Sequence, residues 1–161
     1  MIYVAQIMTG TEDAARMELR RDGFTALVPE KQMYIRRGGV WHTETRVVFP
    51  GYIFIGCGDL SAADYHLIKK CPGYIRLLGV PVPQPIPAAE AEYIRFLSNG
   101  ENPIEASKAY ITLDGQLEII SGSLKAFEDN IIWYSRRQRR AEVETKIAGV
   151  THRITFAVDF M

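Results

Sequence analysis

Val47-Val48-Phe49-Pro50-Gly51-Tyr52-Ile53-Phe54-Ile55 is the most apolar run in the chain, broken only by Pro50-Gly51. It is too short for a buried helix and too rich in β-branched and aromatic residues to favour one, so it predicts a central strand with a kink at Pro50-Gly51. Residues 2–8 alternate like a strand. Thr9-Gly10-Thr11 then supplies a turn and a hydroxyl cap ahead of Glu12 and Asp13, acids suited to a helix N-terminus, and a helix is expected over 12–22. Gly23 is the natural left-handed stop, and 24–28 returns to extended chain. Ser61, with Asp64 three residues on, predicts a capping box for a helix over 61–70 that ends at Pro72-Gly73. A strand over 74–78 follows. Pro81, Pro83, Pro85 and Pro87 impose an extended connection before a helix over 88–97. The result is a small mixed sheet with flanking helices.

Within this first part, Gly38-Gly39 joins two arms, 31–36 and 40–46, that carry basic residues on polar positions. The pattern predicts a projecting, solvated hairpin. Residues 98–109 are polar, contain Asn99-Gly100 and Pro103, and show neither a helical nor a strand period, which reads as a linker. Beyond it the pattern becomes all-β. Short strands at 117–120, 130–134, 141–147 and 153–157 are separated by Ser121-Gly122, by the stretch 136–140 and by Ala148-Gly149. Four or five strands in about fifty residues suggest a small barrel that closes its own edges. The fold class is α+β, in two domains.

Nineteen Lys and Arg balance nineteen Asp and Glu, so no global field draws the chain to nucleic acid or an acidic membrane. Nucleic-acid contact must come from local patches. Arg36, Arg37 and Arg46 form one basic group, and Lys69 and Lys70 a second, with Arg76 nearby in sequence. Either can be plain surface solvation. Arg136, Arg137, Arg139 and Arg140 place four guanidinium groups within five residues of a turn. Their mutual repulsion would be relieved by an anionic partner such as RNA phosphate. Trp133 and Tyr134 beside them can stack bases or fill a barrel core.

Nothing assembles into an enzyme site. His42, His66 and His152, with Cys57 and Cys71, have no triad or metal-ligand spacing. The glycines of Gly38-Gly39 and Gly56-Cys57-Gly58 lack a P-loop Lys-Ser or Lys-Thr. No catalytic residue, metal or cofactor is expected. Both cysteines read as reduced thiols. The start of the chain has no signal-peptide pattern, and no stretch approaches the roughly 18 apolar residues of a membrane span. The expectation is a cytoplasmic monomer.

The motifs resemble the NusG family over nearly the whole chain. Tyr3-Val4-Ala5-Gln6, with Thr9-Gly10 and a helix after it, is similar to the family's first strand and helix. Phe49-Pro50-Gly51-Tyr52-Ile53-Phe54-Ile55 resembles its FPGY strand. The run from His66 to Gly73 resembles its second helix and turn. Gly115, Ile119-Ile120-Ser121-Gly122, Leu124-Lys125, Phe127 and Gly149 look like its KOW barrel. Two departures stand out: Ile2-Tyr3 where the family usually has Trp-Tyr, and Asp129-Asn130 where KOW usually has Gly. Asp and Asn tolerate left-handed backbone, so that turn can survive.

The resemblance implies an NGN-type domain over 1–98, a linker over 99–109 and an SH3-like KOW domain over 110–161. It also implies a non-enzymatic elongation and antitermination factor whose NGN domain holds the RNA polymerase clamp and suppresses pausing or termination. Tyr3, Phe49, Pro50, Gly51 and Tyr52 would then line an exposed apolar concavity, although as strand aromatics they can equally be core. Ser123 to Lys125 and the basic stretch 136–140 with Ala141-Glu142-Val143-Glu144 resemble specialised LoaP-type antiterminators. That branch implies contact with a structured leader RNA. The alternative is an RNA-binding or ribosome-associated KOW module, against which the FPGY strand argues.

Overall fold

The computed structural model describes residues 1–79 and 82–161. In chain order the elements are β1 (Ile2–Ile7), α1 (Glu12–Arg21), β2 (Thr25–Leu27), β3 (Glu30–Arg37), β4 (Val40–Val47), β5 (Tyr52–Gly56), α2 (Ala62–Lys69), β6 (Tyr74–Leu77) and α3 (Ala88–Ser98). Then come β7 (Ser107–Ile111), β8 (Leu117–Ser121), a 3-10 stretch (Ser123–Asn130), β9 (Ile131–Ser135), β10 (Arg140–Ile147) and β11 (Val150–Phe160). The chain divides into two compact units. One comprises residues 1–29, 49–101 and 147–149; the other comprises 30–48, 102–146 and 150–161.

The first unit is built on a four-stranded sheet in the order β2-β5-β1-β6. Strand β5 runs antiparallel to both β1 and β2, with Val4 opposite Phe54 and Ala26 opposite Ile55. Ile53, Phe54 and Ile55 are all buried, which makes β5 the apolar centre expected of this run. The Pro50-Gly51 break is a full turn rather than a kink. The Tyr52 amide donates to Phe49 O, with Pro at the second position and Gly at the third, and Gly51 has φ +84°. That residue order is the signature of a type II turn, which needs positive φ at the glycine.

Helix α1 carries Glu12 and Asp13 in its first turn and Arg20 and Arg21 in its last, matching the helix dipole, and buries Ala15 and Leu19. Its chain reverses at Gly23, which has φ +92° and whose amide donates to Arg20 O. Helix α2 opens on the predicted capping box: Asp64 N donates to Ser61 Oγ, and Ser61 N donates to the Asp64 carboxylate. Helix α3 buries Ala91, Ile94 and Leu97, three residues apart along one face. Of the proline connection before it, Pro81 lies outside the described residues. No helix among the described residues is long and apolar enough to cross a membrane.

The second unit contains a five-stranded sheet in the order β8-β7-β11-β10-β9. β7 and β11 are parallel, while β7–β8 and β9–β10 are antiparallel. The Tyr134 hydroxyl on β9 donates to Gly115 O in the turn between β7 and β8, so the two edges of the sheet approach each other. Such a curled sheet is compatible with a small KOW-type barrel. Its core includes Ile119, Val143, Ile154 and the stacked rings of Phe127 and Phe156, 6.0 Å apart. Leu124 and Phe127 enter that core from the 3-10 stretch, an element that carries no clear period in the sequence.

Two local expectations change. The stretch 98–109, expected to be a linker, is structured at its far end. Strand β7 starts at Ser107, and Ile104, 5% exposed, is paired on both sides: its amide donates to Glu30 O and its carbonyl accepts from Gln32 N. One large apolar residue and two alanines in a polar stretch leave no periodic signal. The β3–β4 hairpin, expected to be solvated on both arms, is so at its tip and along β4 but not along β3. Gly38 and Gly39 take φ +57° and +77°, as a two-residue primed turn requires. Lys31 and Met33 on β3 are buried. The Lys31 ammonium donates to Thr155 O at 2.5 Å, and the Tyr34 hydroxyl donates to Asp159 at 2.6 Å. Basic residues on β3 do not mean a solvated strand, because a lysine stem can lie on an apolar surface while its head finds a carbonyl.

Candidate functional site

The second unit concentrates the cationic groups. In β3–β4, Arg36 stands opposite Trp41 and Arg37 opposite Val40. The turn from β9 to β10 consists of Arg136, Arg137, Gln138 and Arg139. It is held by Gln138 N donating to Ser135 Oγ and by Arg139 N donating to Arg136 O. Arg139 adopts φ +55°, a left-handed position that ends the turn. This backbone places the Arg139 guanidinium over Trp41, 4.5 Å from the indole centroid, and 5.6 Å from the Tyr34 ring. Arg36 lies 5.9 Å from the same indole. Arg140 reaches back to Tyr34 O.

An open cleft of about 310 Å³ results, lined by Tyr34, Arg36, Trp41, Arg137 and Arg140 among others. Beside it a second hollow is lined by Arg136, Arg139, Asp159 and Phe160. Among the described residues, the buried Nε–H of Arg140 has no acceptor. No ion pair occupies Arg36, Arg136, Arg137, Arg139 or Arg140 among the described residues. Arg37 and Arg46 differ. Both pair with Glu44, at 2.5 and 2.7 Å, and the hydrogen bond from Arg46, with Arg37 assisting, holds the Glu44 carboxyl below its usual range. The hydrogen bond to Asp159, with burial, pushes the Tyr34 hydroxyl up to about 12. Burial, with the Arg140 and Arg46 charges, pulls Lys31 down to about 8.

Two of the predicted basic groups are therefore joined in part: Arg36 meets Arg137, Arg139 and Arg140. Lys69 and Lys70 close α2 in the first unit, where Lys69 lies over the Tyr65 ring at 4.6 Å, and no residue of the cleft comes from that unit. Tyr34 and Trp41 complete the cleft without having been expected there from the sequence. Counting pairs outward from Gly38-Gly39 as a two-residue turn puts Trp41 opposite Arg36, so the signal is present. Of the flanking aromatics, Trp133 is 42% exposed, whereas Tyr134 is half-buried near Phe160.

In the first unit the residues expected on a polymerase surface have unequal exposure. Phe49 is 1% exposed and packs edge-on against Phe54, with ring centroids 5.4 Å apart. Gly51 is buried, Tyr52 half-buried and Pro50 exposed. Tyr3 is 5% exposed, yet its side lines an open groove of about 440 Å³ with Leu60, Tyr65, Val82 and Pro83. Among the described residues there is no cluster of three or more metal-ligating side chains.

The model of the family described as "Transcription termination factor nusG" matches residues 2–95. The chain belongs to the NusG family. Members of this family are non-enzymatic transcription termination and antitermination factors. A "Transcription termination/antitermination protein NusG" from Thermus thermophilus is 24% identical, over 91% of this chain and 89% of that protein. The protein of the same description from Xylella fastidiosa is 23% identical over 91% of this chain and 90% of its own length. A solved structure described as "Domain interaction in Thermotoga maritima NusG" matches with a TM-score of 0.57 at 19% identity, covering 97% of this chain and 92% of that one. That likeness is one of fold.

Proposed function

We propose that this NusG-family chain is a LoaP-type elongation and antitermination factor that binds RNA polymerase through its N-terminal domain and a structured leader RNA through its arginine cluster. The observation that carries the RNA half is the convergence of Arg36, Arg137, Arg139 and Arg140 around Trp41 in a chain of zero net charge. Guanidinium groups without carboxylate partners gain most from phosphate, because binding releases condensed counterions. The polymerase half rests on the family and on the groove at Tyr3. An apolar groove that receives a helix tip is a common recognition mode. In this reading Tyr3 supplies contact from the groove, Tyr52, on the opposite face of the sheet, supplies contact outside it, and Phe49 and Gly51 support the turn between them. The two-domain division belongs to the same proposal, with the connection after α3 ending before Ile104 and with the β3–β4 hairpin adding to the RNA surface.

No bond is made or broken. Holding the polymerase clamp would disfavour open, paused states through differential affinity, and a few kcal/mol shifts such populations strongly. The test is twofold. Full-length protein should co-purify with core RNA polymerase, and Tyr52→Ala should weaken that association with the fold intact. It should also bind a leader hairpin more tightly than unrelated RNA, with the affinity falling as salt rises. Failure to bind polymerase removes the elongation reading, and equal affinity for all RNAs removes the LoaP-type assignment.

A further inference from the structure

We propose that the cleft between the β3–β4 tip and the β9–β10 turn receives a single unpaired RNA nucleotide, its base on the indole of Trp41 and its phosphate on Arg36, Arg137 and Arg140. This deepens the leader-RNA reading and rests on it.

Size comes first. A cleft of about 310 Å³ lies at the lower end of small-molecule sites, enough for one nucleotide and too small for paired strands. Chemistry comes next. Sequence-specific RNA recognition splays out unpaired bases and stacks them on aromatic rings or guanidinium planes, and this cleft offers both at one place. Trp41 is half-buried, so one part of its ring is supported while another faces the cleft.

The indole is already used as a cation platform by Arg139. An incoming base replaces that contact with a stack, and the displaced guanidinium becomes available to the adjoining phosphate. The exchange gives up one exposed cation–π contact and gains a stack and a charge-assisted hydrogen bond. Arg140 adds a separate pointer: among the described residues its buried Nε–H lacks an acceptor, and a small shift of the side chain into the cleft would bring it to a phosphate oxygen.

Charges around the cleft also select its ligand. Glu44 is occupied by Arg37 and Arg46, and Asp159 accepts from Tyr34 on the side of the second hollow. Glu44 and Asp159 are thus engaged, Glu105 is a further carboxylate near enough to act on Tyr34, and Arg36 and Arg137 have no ion pair among the described residues. An acidic peptide would satisfy those guanidinium groups but make no use of the indole. A nucleotide uses both.

The experiment uses the full chain with Trp133→Phe, which leaves Trp41 as its one indole. The probes are a hairpin RNA with an unpaired purine loop and the same hairpin with abasic loop sugars. The expected result is quenching of Trp41 fluorescence by the purine-loop hairpin, with about tenfold or greater loss of affinity for the abasic one. Trp41→Leu should bind both hairpins equally and retain the salt dependence, while Trp41→Phe should keep part of the discrimination. Equal affinity of the unsubstituted chain for the two hairpins, with salt-dependent binding intact, overturns this inference and leaves the leader-RNA reading standing. Absence of binding to either hairpin overturns both.

Discussion

Glu12 accepts the Gly51 amide at 3.1 Å through Oε1, linking the start of α1 to the turn of the FPGY motif across 39 positions of sequence. Its Oε2 takes the Gly10 amide at 2.9 Å, while Gly51 O accepts from Ile7 N. A carboxylate that is 6% exposed thus satisfies two loop amides at the end of β1. The acid predicted to favour a helix N-terminus also pins the family's most recognisable turn.

Glu12→Ala should therefore cost about 1 to 3 kcal/mol, the penalty for leaving buried amide donors without an acceptor. Glu12→Gln, which keeps one carbonyl oxygen, should lose less. Urea midpoints for the two variants check this, and an alanine variant as stable as the parent would show that the pin contributes nothing.

Phe49→Ala should cost about 3 to 5 kcal/mol, since an aromatic ring is removed from a closed core and leaves a cavity. Tyr52→Ala, at a half-buried position, should cost clearly less. Thermal melts of the pair separate a packing role from a contact role before any polymerase measurement. If Phe49→Ala melts with the parent, the ring is not packed as described.

The central strand, the three helices, the capping box and the all-β second half are legible in the sequence because each has a local signature: a β-rich apolar run, Ser61 with Asp64, and short strands punctuated by glycine. The fastening of β3 is not. It depends on a lysine ammonium meeting Thr155 O and a tyrosine meeting Asp159, partners more than a hundred residues away that follow no period. The sequence leaves Phe49 open between core and surface for a related reason. Alternation says that some strand aromatics face inward, but Phe49 lies in a turn where alternation stops. Arginine clustering is visible in the turn itself, whereas the join to Arg36 requires the second unit's tertiary pairing.

Lys31 makes stability depend on pH. Below about 8 it is charged in both folded and unfolded chains and contributes no slope. Between about 8 and its ordinary 10.5 the unfolded chain binds more protons, so its contribution raises stability with pH, by about 3 kcal/mol across the whole window. Cys71 and Tyr34, pushed up to about 11 and about 12, act in the opposite sense above 9 and 10. The stability of the parent minus that of Lys31→Met isolates the lysine and should rise from pH 8 to pH 10. A flat difference would mean that the ammonium keeps its ordinary affinity for protons.

The salt dependence of RNA binding should distinguish arginines that look alike in the sequence. Arg37 and Arg46 share Glu44, so a phosphate would have to compete with a carboxylate already in place. Arg137 and Arg139 stand on a turn without an ion pair among the described residues. Each phosphate that a variant no longer neutralises should reduce the slope of log affinity against log salt by roughly 0.7 to 0.9. Arg137→Gln with Arg139→Gln should therefore flatten the slope by about 1.4 to 1.8. Arg37→Gln with Arg46→Gln should leave it nearly unchanged, although Glu44 is then unpaired and absolute affinity falls somewhat through its repulsion. Binding of one leader hairpin at several salt concentrations, with all chains verified as folded, reads both pairs together. Equal flattening by the two pairs would mean that RNA breaks the Glu44 bridges and that the whole hairpin tip is the phosphate surface. No flattening by either pair would move the RNA contact elsewhere, with Lys69 and Lys70 the next residues to neutralise.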